Sequence, residues 1–105
     1  MKMRHVMILL FLIASESSWA YEAATARVTT VQSTYMPTNI QFSVDTGTAS
    51  CPAGHWLTWS NPNIENNKAT YATLLAALIS ATSILYYINN SDTTCTVVFL
   101  DILAS

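Results

Sequence analysis

The chain reads as a mainly β protein with a single helix, in the order β-β-β-α-β-β. Three observations predict this. Short runs of β-branched and aromatic residues, bounded by turn formers, recur along the chain. One stretch between them carries helical rather than alternating periodicity. Two cysteines, Cys51 and Cys95, bracket that stretch, and the whole sequence has only 105 residues, enough for one small domain.

The first twenty residues stand apart from the rest. Lys2 and Arg4 make a basic start, Val6 to Ala14 is an unbroken apolar run, and Ser18-Trp19-Ala20 is a small-x-small cleavage site. Residues 1–20 are therefore expected to be a signal peptide and residues 21–105 a single domain. The apolar run is about half the length a membrane-spanning helix needs. An exported chain meets an oxidising compartment, secreted or periplasmic, where an even cysteine count favours a Cys51–Cys95 disulfide. Two free buried thiols are the alternative.

The elements follow in order. Val28 to Met36 is rich in Val, Thr and Tyr, stops before Pro37, and reads as the first strand. Ile40, Phe42 and Val44 alternate with Gln41, Ser43 and Asp45, which predicts a half-buried strand over 40–45. Thr46 to Gly54 holds both glycines of the chain and reads as a turn region. His55 to Trp59 is a short third strand, ended by Ser60-Asn61-Pro62-Asn63. Asn66 or Asn67 is the expected helix cap. Tyr71, Leu74, Leu75, Leu78 and Ile79 then form one apolar stripe. The opposite face, with Thr70, Thr73, Ala77 and Ser80, lacks charge, which implies a second covered face or an interface. Ser83 to Ile88 and Thr94 to Leu103 are the fourth and fifth strands, separated by an Asn/Ser/Asp turn. This element order matches the five-stranded Greek-key barrel known as the OB-fold.

Ala69 to Ile88 is uncharged over the length of a spanning helix. Its Thr and Ser content, the strand-forming end Ile84-Leu85-Tyr86-Tyr87-Ile88 and the lack of Lys or Arg beyond Lys68 argue against insertion. The chain beyond the leader is expected not to span a membrane.

Charge excludes further functions. The sequence has four Lys+Arg and six Asp+Glu. Without the leader, Arg27 and Lys68 face Glu22, Asp45, Glu65, Asp92 and Asp101, about −3 net. Two cations cannot neutralise a phosphate track, so nucleic acid is not an expected partner. One histidine beyond the leader, His55, gives no base–nucleophile pair and no metal ligand set. Glu65 with Asp45, or Asp92 with Asp101, has no spacing that demands a glycosidase-type pair. Phosphate-cradling glycine loops are absent. No enzyme activity, cofactor or metal is expected. Asn89-Asn90-Ser91 matches a glycosylation acceptor pattern of low specificity.

Binding remains. Thr, Ser and Asn supply neutral hydroxyls and amides that suit sugar hydroxyls. Trp56 and Trp59 lie three apart, on opposite faces of a strand, so one belongs to the core and the other outside. Both are binding candidates, with core or interface packing as the commoner role for each. Tyr86 and Tyr87 divide in the same way.

Cys51, Trp56, Lys68, Tyr71, Leu74, Leu75, Ala77, Leu78, Ile84, Tyr86 and Cys95 together resemble a pattern in small exported bacterial proteins related to the B subunits of subtilase cytotoxin and typhoid toxin. The pattern covers about half the chain beyond the leader and departs from the relatives at Ala81-Thr82, where they carry Gly and a polar residue. The resemblance implies an OB-fold, a homo-oligomeric ring of five and glycan binding. By order along the first strand it points to Thr25, with Arg27 beside it, as ligand-binding candidates. A structural or inhibitory envelope protein that binds another exported protein through a sheet edge or the helix is the alternative.

Overall fold

The computed structural model describes residues 20–104. The expected leader lies, apart from Ala20, outside the described residues. The elements are β1 (Tyr21–Gln32), β2 (Ile40–Val44), β3 (Leu57–Trp59), α1 (Ile64–Ser80), β4 (Ser83–Asn89) and β5 (Val97–Ile102). They keep the expected order and form a five-stranded antiparallel sheet, arranged β3-β2-β1-β4-β5. The expected closed barrel is not formed. The two edge strands meet only at a parallel bridge between Thr58 and Thr96, where the Thr58 amide donates to the Cys95 carbonyl at 2.9 Å.

β1 differs most from expectation. It starts at Tyr21, well before Val28, because Tyr21 to Arg27 pair residue by residue with Asn89 to Ser83 of β4. It ends at Gln32, not Met36, because the chain from Ser33 turns, with the Met36 amide donating to the Ser33 carbonyl and the Thr38 amide to the Tyr35 carbonyl. Its second half pairs with β2, and the register shifts between Val28 and Thr30. The extra residue bends the strand there, so one strand serves two differently directed halves of the sheet.

The core lies on one face of the sheet. Ile40, Phe42 and Val44 of β2 are buried, as their alternation predicted. Across from them, β4 buries Ile84, Tyr86 and Ile88. Tyr86 faces Ala24 in the β1 register, so a small side chain leaves room for a large ring in a close-packed interior. The Tyr86 hydroxyl donates to the Thr46 carbonyl at 3.0 Å, and burial pushes its phenol pKa up.

α1 also corrects two expectations. Asn63, not Asn66 or Asn67, caps it: its side-chain oxygen accepts from the Glu65 amide at 3.0 Å. Asn66 and Asn67 are committed elsewhere. The Asn67 amide is buried and donates to the carbonyls of Pro37, Thr38 and Asn61 while accepting from the Asn61 amide at 2.9 Å. That docking sets the helix rotation. Asn67, Leu74 and Ala77 are buried, with Tyr71 and Leu78 packed at their margin. Ile79, expected in the stripe, points outward and is 83% exposed. Ala81 closes the helix in the left-handed region at φ 54°, so the stretch from Ala69 to Ile88 is divided between a helix and a strand. Among the described residues no helix is long and apolar enough to cross a membrane.

Candidate functional site on the outer face of β1, β4 and β5

Cys51 and Cys95 form a disulfide with Cα atoms 5.7 Å apart, joining the loop before β3 to the segment before β5. Closing a loop of 44 residues stabilises the fold by about 4 kcal/mol in the chain-entropy model. Gly47 helps seat this loop, because a side chain there would collide with the backbone from Cys51 to Ala53.

A carboxylate stands beside the bridge. Glu22, near the start of β1, accepts from the Ser50 amide at 3.0 Å, the Ser50 hydroxyl at 2.7 Å and the Ser91 amide at 2.9 Å. These donors, the Ser91 amide above all and then the Ser50 hydroxyl, hold the Glu22 pKa down at about 2. Asp92 accepts from the Thr94 hydroxyl and amide, which lower its pKa too. Its carbonyl oxygen lies 3.3 Å from the Cys51 sulfur.

Tyr21 immediately precedes Glu22, and on the outer side of the sheet its ring meets two others. Tyr21 packs edge-to-face with Phe99 at 5.6 Å and with Tyr87 at 6.3 Å, and Tyr87 with Phe99 at 6.0 Å. The register explains the meeting: Tyr87 stands opposite Ala23 on one side and Phe99 on the other. Tyr21 is 43% and Phe99 52% exposed. The next outward row is Thr25, Leu85 and Asp101, followed by Arg27 and Ser83.

The candidate residues fall in three places. Thr25 and Arg27 lie on this face and are exposed. Arg27 is anchored by its backbone, its amide donating to the Asp45 carboxylate at 2.8 Å and its carbonyl accepting from the Asp45 amide at 3.0 Å. Among the described residues its guanidinium makes no ion pair; the ion pair present joins Lys68 to Glu65. Trp56 is exposed but precedes β3, away from the rows above. Trp59 packs against the core and its indole N–H donates to the Asn66 side chain at 3.0 Å, so its polar atom is already used.

The sequence divides Tyr86 and Tyr87 between the two faces without saying which is outward; the structure buries Tyr86 and turns Tyr87 outward, beside Tyr21 and Phe99, which the sequence did not point to. The outward alternation of β5 was the available signal for Phe99; for Tyr21 none was available, since β1 was not expected to reach it. Among the described residues there is no pocket, so this face is open. No family model matches the chain, and neither a curated protein nor a solved structure matches it.

Proposed function

We propose that the protein is an exported, disulfide-closed binding protein that recognises a glycan on the outer face of β1, β4 and β5. The observation that carries the reading is the Tyr21–Tyr87–Phe99 cluster, with Tyr21 and Phe99 exposed and Tyr87 half-buried between them, and with Thr25, Arg27 and Asp101 beside it. Aromatic rings held by their neighbours offer large rigid contact area at little entropic cost. Hydroxyl, guanidinium and carboxylate groups alongside suit the donors and acceptors of a sugar. The bridge at Thr58 and Thr96 supports treating the sheet as an OB-like barrel that is almost closed, which presents one curved outer wall. The sparse charge favours binding over catalysis, and the resemblance to toxin B subunits points in the same direction.

A glycan array with the folded, oxidised protein tests the reading. Binding to a restricted set of glycans, lost in Phe99→Ala at unchanged thermal stability, is the expected result. A uniformly blank array, or a single stoichiometric protein partner held through the exposed Ile64 and Ile79 of α1, overturns it.

A further inference from the structure

The aromatic face and the disulfide are joined by one side chain. Ser50, which gives Glu22 two hydrogen bonds, is the neighbour of Cys51. Ser91, which gives the third, is the neighbour of Asp92, whose carbonyl contacts the Cys51 sulfur. On the other side Glu22 is the neighbour of Tyr21, whose ring completes the cluster with Tyr87 and Phe99. The strand end is also held by the β1–β4 ladder, in which Tyr21 stands opposite Asn89, and by the Asn90 amide, which donates to the Ala20 carbonyl at 2.9 Å; what Glu22 adds is the tie to the Ser50 loop.

We propose that Glu22 is a positioning residue for the recognition face, and that it couples the state of the Cys51–Cys95 bridge to the placement of Tyr21. With the bridge closed, Ser50 and Ser91 are fixed as donors and the start of β1 is pinned onto β4. A dithiol reductant delivers two electrons and two protons to the bridge, leaving two thiols and its own disulfide. The Ser50 loop is then untied, Glu22 loses its donors, and Tyr21 leaves the cluster. Asn67 and its loop partners lie at the far end of β1 and share no residue with this chain of contacts, so that end stays fastened. The inference rests on the outer face being the recognition surface.

Proton NMR separates the two ideas. Contacts from the Tyr21 ring to Tyr87 and Phe99, and protection of the Asn67 side-chain amide, are followed in the oxidised protein, the reduced protein and three variants. Reduction and Glu22→Ala are expected to erase the Tyr21 contacts and leave the Asn67 amide protected. Ser50→Ala, a milder change, is expected to weaken them, and Glu22→Gln to retain them in part. In the oxidised protein they should fade as pH falls toward the low value at which Glu22 protonates. Asp92 is the other carboxylate at this end, so an Asp92→Asn background must leave that titration in place. Tyr21 contacts unchanged in both Glu22→Ala and Ser50→Ala overturn the proposal, as does reduction that exposes Asn67 as fully as it frees Tyr21. Should the Tyr21 contacts respond as expected while every array spot is blank, the positioning role stands and the glycan reading falls.

Discussion

The two ends of β1 are fastened by opposite chemistry. At its start, a disulfide and an ionised carboxylate tie the strand to two loops near the surface. At its far end, a neutral amide, Asn67, is fully buried and satisfied by four hydrogen bonds to two loops. The first fastening answers to redox state and pH, while the second has nothing to titrate or reduce. A small fold can thus hold a constant end and a conditional end on the same strand.

Removing the bridge is the largest perturbation. Cys51→Ser is expected to cost about 4 kcal/mol, read as a lower urea midpoint, and to act on the conditional end. Asn67→Ala comes next. It strands three carbonyls and one amide, at a cost of about 3 kcal/mol, and this loss should be equal in oxidised protein at neutral and at acid pH. A loss confined to one pH range would show that the two ends are not independent.

The smallest effect sharpens the contrast most. Glu22 has its pKa depressed from 4.5 to about 2 in the folded chain. Its ionised form therefore stabilises the fold fully above about pH 4.5, and that contribution is lost as pH falls through about 2. The stability gap between the parent protein and Glu22→Gln should be constant at neutral pH and close at strongly acid pH. Thermal melts across that range check it.

The same contrast separates what the sequence could reveal from what it could not. β2 was legible because Ile40, Phe42 and Val44 carry their own alternation, and all three are buried. The disulfide was legible from compartment and parity, and the structure contains it. The first half of β1 was not, because Ala23, Ala24 and Ala26 have weak strand preference and are held by pairing with β4. The helix cap was misplaced for a related reason: Asn66 and Asn67 spend their amides on Trp59 and on distant carbonyls, partners no local window displays. The candidate site suffered likewise. Thr25 and Arg27 were named from order along the chain, but Tyr21 and Phe99 join them only through a register set by β4.

The pairing of β1 with β4 also sets an order of assembly. Glu22 and Ser91 are 69 positions apart, so a chain made from its N-terminus has the first partner ready long before the second. Helix α1 closes over neighbouring residues and forms early, whereas a ladder of such separation must wait for a long loop to close. Until then the start of β1 is an unpaired edge. Of the ladders in the sheet, the one between β1 and β4 joins the residues farthest apart along the chain, and half of the aromatic face depends on it.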